Sequence, residues 1–223
     1  MKKADKPHVH ECAPETRGRL IHWSFFYDPI VRLFLLGRER AMRRMTLELA
    51  QIEPGDKVLD VGCGTGSLTI SAKEASGPVG EVHGIDGAPE MIHVARQKAA
   101  RAGVDIGFHV GLIEDIPFPD DRFDVVLSSL MMHHLPGDLK KQGIAEVHRV
   151  LRSNGRFLVL DLEPPKTLLI RFLIAHPHME GNVRELHSLM DDVGFGEIEA
   201  GMTRYRILSF IKGKARKVKC GQE

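Results

Sequence analysis

Residues 57–66, KVLDVGCGTG, constrain the fold of this chain more than any other stretch. A short apolar run leads into three glycines at positions 62, 64 and 66, and a helix-compatible segment starts at residue 67. Glycine reaches backbone angles that other residues avoid and lets a ligand approach the main chain closely. A helix N-terminus beside such a turn offers N–H groups and the positive end of a dipole. The stretch therefore predicts a strand, a glycine turn and a helix that together bind a ligand with an anionic or strongly polar part.

The spacing of the glycines narrows the choice of ligand. The dinucleotide fingerprint is G-x-G-x-x-G, whereas here the third glycine comes one residue early and Ser67 stands in its place. Asp60, in the strand before the first glycine, would repel a pyrophosphate and attract a cationic group. A ligand with both a carboxylate and an ammonium fits better, because the turn amides can take the carboxylate while Asp60 helps to orient the ammonium, directly or through water. The methionine end of S-adenosylmethionine has both groups.

The motif D-V-G-C-G-T-G at 60–66 resembles motif I of class I S-adenosylmethionine-dependent methyltransferases, and the resemblance extends over roughly residues 20–211. It implies that the cofactor is S-adenosyl-L-methionine and that the motif holds it through four residues: Gly62, Cys63, Gly64 and Gly66. Strands alternate with helices along most of the chain and two strands close it, which predicts a doubly wound α/β fold. The resemblance implies a seven-stranded, Rossmann-like sheet of order 3-2-1-4-5-7-6 with an antiparallel last strand.

A second carboxylate ends the next predicted strand, 81–86. Asp86 lies 20 residues beyond the glycine turn, where a nucleotide-binding α/β unit places its ribose-binding acid. Ribose hydroxyls donate and an ionised carboxylate only accepts, so the pairing is chemically matched. A role as N-cap of the following helix is compatible with this prediction. We expect Asp86 and Gly87 at the ribose, and the resemblance implies that Met91 lies beside the adenine.

Residues 111–120 resemble the family segment usually written G-D-A-E-x-L-P-F but depart from it at one position. Leu112 stands where the family has a side chain that accepts a hydrogen bond from the adenine amino group, and leucine cannot accept one. Three alternatives follow. The backbone amide of Ile113 holds the ring edge alone, Glu114 substitutes for the missing acceptor, or the register of the loop shifts.

The fourth predicted strand, 123–129, is followed by a segment that we expect to border the transferable methyl group. Ligands of open α/β sheets bind beyond the carboxyl ends of the strands, so Ser128 is a candidate contact. His133 and His134 belong to a stretch, H-H-L-P, that resembles a common turn of the family. Either the pair is structural, packing the turn and starting the next helix, or one imidazole is a general base. The second interpretation makes these two histidines the candidate catalytic residues.

The N-terminal region is expected to cover the site. The predicted divisions are a flexible tail at 1–18, a helical lid at 19–50, an α/β core at 51–213 and a basic tail at 214–223. Tyr27-Asp28 resembles a step of the ubiquinone/menaquinone C-methyltransferase (methyltransferase type 11) group, which implies that Tyr27 closes over the methionine end. An apolar stretch and a basic helix follow. Their apolar face either packs on the core or forms a substrate lid with peripheral membrane contact through 19–45.

Composition excludes several other classes of protein. The formal net charge of +1 gives no case for nucleic-acid binding. Three widely separated cysteines argue against a disulfide framework and favour a reducing cytoplasm. No apolar run reaches the ~18 residues of a membrane-spanning helix, and the charged first residues are unlike a signal peptide. We expect a single-domain cytoplasmic protein without a metal site, in peripheral contact with the inner membrane face if the lid binds lipid.

The resemblance implies methyl transfer by in-line displacement to a small, hydrophobic or amphipathic acceptor, such as a quinol, a phospholipid headgroup or another metabolite. The sulfonium is already a good leaving group, so alignment and exclusion of water suffice. Two alternatives belong to other classes. One is an S-adenosylmethionine-binding partner protein without turnover, and the other is a nicotinamide-dependent oxidoreductase.

Overall fold

A computed structural model of the chain describes residues 13–20, 37–162, 183–205 and 207–217. The helices in these ranges are α1 (Glu39–Ala50), α2 (Ser67–Ser76), α3 (Pro89–Ala102), α4 (Gly137–Val150) and α5 (Val183–Val193). The strands are β1 (Lys57–Val61), β2 (Glu81–Asp86), β3 (Gly107–Val110), β4 (Phe123–Ser129), β5 (Leu151–Leu162), β6 (Phe195–Met202) and β7 (Leu208–Ala215). A short 3₁₀ turn, Met132–His134, follows β4.

The seven strands form one sheet in the order β3-β2-β1-β4-β5-β7-β6. Strand β1 pairs in parallel with β2 and β4, whereas β7 runs antiparallel to both β5 and β6. The predicted sheet order and the antiparallel last strand are therefore confirmed. Val61 at the end of β1 is in register with Ile85 of β2 and Ser128 of β4. The carboxyl ends of these strands thus meet at one edge of the sheet.

Both faces of the sheet are covered, which explains why its central strands are almost continuously apolar. In β1, Leu59 packs with the residues of α4 and α5 on one face, while Val58 packs with α2 and the end of α1 on the other. Both side chains are fully buried. The core therefore lies in two layers, one on each face of the sheet, and β1 and β4 are packed between them below the glycine turn.

Two strands have irregular starts. Strand β5 starts at Leu151 and includes Asn154, which adopts a left-handed φ of 64°. The last strand spans Leu208–Ala215. A turn precedes it, in which the Thr203 hydroxyl lies within hydrogen-bond distance of the carbonyls of Tyr205 and Leu208. Strand β7 continues two residues into the range expected as basic tail.

The helical part of the expected lid that the structure describes is α1, and its apolar face packs on the sheet. Met42 and Met45 are buried against Leu160 of β5 and Leu208 of β7. Tyr27 and the remainder of the expected lid at 21–36 lie outside the described residues. Within the described ranges, no helix combines the length and apolar character needed to cross a bilayer.

Candidate active site

A cavity lies at the edge of the sheet where β1, β2 and β4 end. It encloses about 80 Å³, well below the ~300–1,000 Å³ of typical small-molecule sites. Its walls come from the glycine turn, the end of β2, the start of α3, the loop after β3, the turn after β4 and the N-terminal segment. Among the predicted site residues, its lining includes Gly62, Gly64, Asp86, Gly87, Met91, Ile113, Glu114 and His134.

The glycine turn needs its glycines both for backbone angle and for space. Gly62 has a φ of +71°, and a Cβ added there would lie 2.4 Å from Cγ of Met131. Gly66 has a φ of +76°, and its Cβ would lie 2.8 Å from that of Ala95 in α3. Real Cβ atoms do not approach carbon so closely. The motif therefore brings the turn against both the cavity wall and the neighbouring helix.

Several turn amides already have partners inside the protein. The N–H groups of Gly62 and Cys63 donate to the carbonyl of Ile85 at 2.9 and 3.0 Å. That of Gly64 donates to Oδ2 of Asp86 at 2.9 Å. A ligand carboxylate that bound the amides of Gly62, Cys63 or Gly64 would have to exchange one of these bonds. The turn is thus fixed to the end of β2 before any ligand arrives.

Asp60 lies beneath the turn and does not line the cavity. Its side chain is 1% exposed, and Oδ2 accepts a hydrogen bond from the Thr69 hydroxyl at 2.7 Å. Burial raises the pKa of this carboxyl to about 7, the negative charge of Asp86 adds to the rise, and the Thr69 hydrogen bond opposes it. A cation bound nearby would favour the ionised form of Asp60. Its predicted role in orienting an ammonium group would have to act through a water molecule or a shift of the turn.

Asp86 is held rigidly at the cavity. Its Oδ2 accepts from Gly64 N and its Oδ1 from Ala88 N, each at 2.9 Å. These two bonds fix the plane of the carboxylate between the glycine turn and the start of α3. A carboxylate has about four lone-pair sites, so two amide donors do not exclude a ribose diol. The geometry is compatible with the predicted ribose contact.

The opposite wall is apolar where an adenine ring is expected. Met91 is 2% exposed, and the Cδ2 atom of Leu112 lies 2.9 Å from the position of a Cβ on Gly87. Ile113 packs tightly against Gly143 of α4. Glu114 accepts a hydrogen bond from the Thr16 hydroxyl. The wall can pack against the face of a flat ring. The three alternatives for the ring edge, namely the Ile113 amide, Glu114 or a shifted loop register, stay predictions.

Residues 16–20, here called the N-terminal strap, cross the mouth of the cavity. Besides the Thr16–Glu114 bond, Arg17 forms an ion pair with Asp138 at the start of α4. The backbone N–H of Arg19 donates to the carbonyl of His134 at 3.3 Å. Residues 16–18, which were expected in the tail, thus contact the core. Four strap residues, Thr16, Gly18, Arg19 and Leu20, line the cavity.

The two histidines after β4 have different environments. His134 lines the cavity, whereas the ring of His133 packs on that of His134 with centroids 3.9 Å apart. His133 Nδ1 lies 2.5 Å from Oδ1 of Asp161, near the end of β5. Sequence reasoning missed Asp161, although a carboxylate that ends an apolar strand on the ligand-binding edge was a usable signal.

Three predicted residues are buried behind the cavity lining. The Cys63 thiol packs against Ile92 and Phe108 in an apolar cluster, and burial is the main reason that its pKa is raised well above the ordinary value. Gly66 caps α2. The Ser128 hydroxyl is buried and has no hydrogen-bond partner among the described residues. Any contact of these residues with a ligand would come through the backbone or through a neighbouring side chain, and their roles stay predictions.

A charged pair on α4 holds the loop that carries the apolar wall. Glu146 accepts a hydrogen bond from Ile116 N at 3.0 Å, and the pKa of Glu146 is lowered chiefly by its hydrogen bond to Arg149. Arg149 donates to the carbonyls of Ile116 and Phe118 at 2.9 and 2.8 Å. The E-x-x-R pattern at 146–149 is therefore a clamp on the loop after β3.

A seven-stranded sheet of this order, with a glycine turn after β1 and a fixed carboxylate at the end of β2, is the architecture of class I S-adenosylmethionine-dependent methyltransferases, and the chain belongs to this family. Residues 58–155 match the family model described as a methyltransferase domain. The family's methyl donor is S-adenosyl-L-methionine. Family membership decides against the nicotinamide-dependent alternative.

One relative is the ubiquinone/menaquinone biosynthesis C-methyltransferase UbiE of Burkholderia orbicola. It is 38% identical over 152 residues, which are 68% of this chain and 62% of the relative. The matched part of the chain therefore spans less than two thirds of the length of the curated relatives it resembles.

Solved structures share the fold at low identity. A SAM-dependent methyltransferase from Aquifex aeolicus superimposes with a TM-score of 0.64 at 19% identity, covering 78% of this chain and 89% of that one. Phosphoethanolamine N-methyltransferase 2 of Haemonchus contortus, in complex with S-adenosyl-L-methionine, gives 0.67 at 15% identity over 79% and 53%. At these identities the likeness concerns the fold alone.

Proposed function

We propose that this chain transfers a methyl group from S-adenosyl-L-methionine to a small hydrophobic or amphipathic acceptor. The observation that carries the proposal is the Asp86 carboxylate, which two backbone amides aim at a cavity beside the glycine turn. The cofactor supplies an activated methyl group on a sulfonium. The chain has to bind both partners, align them and exclude water, which is catalysis by proximity and orientation.

Different cavity residues would bind different parts of the cofactor. Asp86 would accept hydrogen bonds from the ribose diol, and the apolar side chains of Met91 and Leu112 would cover the adenine. The closeness of Gly62 to Met131 lets the methionine end lie near the turn after β4. Tyr27 is proposed to close over that end on the strength of the family resemblance alone.

The side of the cavity nearest the histidines supports an apolar acceptor. Leu130, Met131 and Leu135 line it beside His134. Leu130 has a left-handed φ of 57°, which is strained for a bulky residue, and such strain concentrates at functional sites. The UbiE relatives are named for C-methylation in ubiquinone and menaquinone biosynthesis. A quinol is therefore the first acceptor to test, and a phospholipid headgroup is the next.

Peripheral membrane contact is the second part of the proposal. Arg40, Arg43 and Arg44 of α1 line a surface cleft against α2, and none forms an ion pair with a residue that the structure describes. Arginines on one helix face suit anionic lipid headgroups. The chain would then work in the cytoplasm at the inner membrane face. Sedimentation with phosphatidylglycerol vesicles, but not phosphatidylcholine vesicles, tests this, with an Arg→Gln triple variant of α1 as comparison and Arg101→Gln on α3 as control.

The cofactor assignment is tested by calorimetric titration with S-adenosylmethionine and S-adenosylhomocysteine. Asp86→Ala should weaken both by at least tenfold, about 1.4 kcal/mol, and the exposed Asp105→Ala should not. Wild-type protein that binds neither ligand would overturn the assignment. Transfer of a radiolabelled methyl group into a quinol or lipid extract then separates an enzyme from a cofactor-binding partner protein without turnover.

A further inference from the structure

Asp161 is bound to one residue through two different contacts. Its Oδ2 accepts from the backbone N–H of His133 at 2.9 Å, and its Oδ1 lies 2.5 Å from Nδ1 of the same residue. The side chains of Asp161 and His133 are 8% and 13% exposed. A nearly buried carboxylate thus fixes both the main chain and the ring of His133.

This contact decides which ring nitrogen carries the proton. An ionised carboxylate can only accept hydrogen bonds, so a neutral His133 must carry its proton on Nδ1. The lone pair is then on Nε2, which becomes the nitrogen able to take up a proton. A carboxylate beside an imidazole also stabilises the imidazolium that forms when the ring accepts one. The pair therefore has the chemistry of an oriented base.

The pair stands at the ligand-binding edge of the sheet. Strands β4 and β5 are neighbours and run in parallel, so the turn after β4 and the end of β5 meet there. The ring of His133 contacts that of His134, and His134 lines the cavity. This places the base within one side chain of the apolar acceptor wall. The contact with Asp161 thus distinguishes His133 from His134, two histidines that the sequence left equivalent.

We infer that Asp161 is a positioning residue that holds His133 as the base for an acceptor that becomes nucleophilic by losing a proton, such as a hydroquinone. The inference rests on the proposed function and narrows its substrate class. An amine acceptor can arrive neutral and needs no such base.

Methyl transfer to such an acceptor conserves atoms and electrons. The X–H bond of the acceptor breaks, and, because His133 does not itself line the cavity, a water molecule or the ring of His134 relays one proton to Nε2 of His133, giving an imidazolium paired with Asp161. The electron pair left on X forms the X–CH₃ bond. The S–CH₃ bond breaks, and its pair stays on sulfur as a neutral thioether. No oxidant or reductant takes part.

A purely structural role for Asp161 makes a different prediction. Its Oδ1 also accepts from Leu162 N at 2.7 Å, so the carboxylate could serve only to anchor the turn. Loss of an anchor lowers stability without selecting a ring tautomer or an acceptor. Asp124 offers the matched control, because it is 5% exposed at the opposite end of β4 and accepts from Lys57 N at 2.8 Å.

The first measurement needs no acceptor. Nitrogen-15 NMR of histidine-labelled protein should show the Nδ1–H tautomer for His133, assigned by its absence in His133→Gln. Asp161→Asn should abolish or invert that signature, while Asp124→Asn should keep it even where it lowers the melting temperature. An Nε2–H tautomer in wild-type protein, or an unchanged signal in Asp161→Asn, would overturn the inference.

The second measurement follows methyl transfer from radiolabelled S-adenosylmethionine to 1,4-naphthohydroquinone and, separately, to ethanolamine. His133→Gln should lower kcat for the hydroquinone by ~10²–10⁴-fold, the usual contribution of a general base. Asp161→Asn should lower kcat for the hydroquinone at least tenfold, while KM and cofactor affinity stay within twofold of their wild-type values. The double variant should be no slower than His133→Gln, because the two residues act as a unit.

The outcomes separate the two proposals. If wild-type protein methylates neither compound and binds no cofactor, the proposed function fails and this inference falls with it. If wild-type protein methylates the hydroquinone and both variants match its rate, the inference alone is overturned. Transfer to ethanolamine only, independent of His133, also overturns the inference while the proposed function stands.

Discussion

The hydroxyl of Thr69 donates a 2.7 Å hydrogen bond to Asp60 in the interior beneath the glycine turn. That single bond does not offset the cost of burial, and the pKa of Asp60 rises from 3.8 to about 7. Between about pH 4 and pH 7 the unfolded chain has released this proton while the folded chain retains it. The folded state binds more protons in that window, so its stability falls as the pH rises.

Asp60→Asn should therefore be more stable than wild-type protein at pH 8. The amide still accepts from Thr69 but carries no charge to bury. The gain should be small near pH 4 and grow to at most about 4 kcal/mol above pH 7, from ~1.4 kcal/mol per unit of pKa shift. Urea unfolding of both proteins from pH 4 to pH 8, without ligand, measures it. Parallel stability curves would mean that Asp60 is ionised in the folded protein.

Gly62→Ala and Gly103→Ala form a matched pair for the glycine turn. Both glycines have a φ near +70°, but a Cβ at position 62 meets Met131 whereas nothing lies within 4 Å at position 103. Both variants should lose ~1–2 kcal/mol of unfolding free energy, because alanine is strained in the left-handed conformation. Gly62→Ala should lose a further ~1–3 kcal/mol of unfolding free energy from overpacking. It should also weaken cofactor binding. Equal losses in chemical unfolding would show that Met131 moves aside at no cost.

Leu130 permits a separation of backbone strain from side-chain contacts. Leu130→Gly and Leu130→Ala both remove the apolar wall, but only glycine accepts the left-handed φ of 57° without strain. The glycine variant should therefore be more stable than the alanine variant by ~1 kcal/mol or more. Both should raise KM for an apolar acceptor. Thermal melting and steady-state kinetics give the two readouts, and an alanine variant as stable as the glycine one would argue against strain at this residue.

Arg149→Lys should loosen the loop that carries the adenine wall. A lysine cannot span the carbonyls of Ile116 and Phe118 while also pairing with Glu146, as the guanidinium does. We expect a loss of ~1–3 kcal/mol in unfolding free energy and weaker cofactor binding. Arg101→Lys, an exposed position on α3, is the control and should change neither. Unchanged cofactor affinity would restrict the clamp to a purely structural role.

The strands and the α/β class could be predicted because their signals are local, whereas the strand order was implied by the family resemblance. Each strand is a short apolar run bounded by turn residues, and the alternation with helices leaves few ways to connect a parallel sheet. Asp86 and the glycine turn follow from spacing along the chain. Packing then decides details such as the start of β7, which comes directly after the turn closed by Thr203.

The parts of the site that sequence reasoning missed depend on residues distant along the chain. Asp161 reaches His133 because the register of β5 against β4 places it beside the turn after β4, and no local pattern encodes that register. The use of the Gly62 and Cys63 amides by the Ile85 carbonyl depends on how β1 and β2 align. Leu130 has a left-handed backbone angle that favours glycine. The residue type at this position therefore does not predict the angle.

The rate at which trypsin cleaves the N-terminal strap should depend on whether the cavity is occupied. Arg17 and Arg19 are the basic residues of a segment that has no helix or strand of its own and is attached to Glu114, Asp138 and His134. A cofactor that fills the cavity must either displace this segment or be covered by it. Displacement would speed cleavage by trypsin after these arginines, and coverage would slow it. The digestion rate with and without S-adenosylhomocysteine thus reports which way the entrance to the site moves.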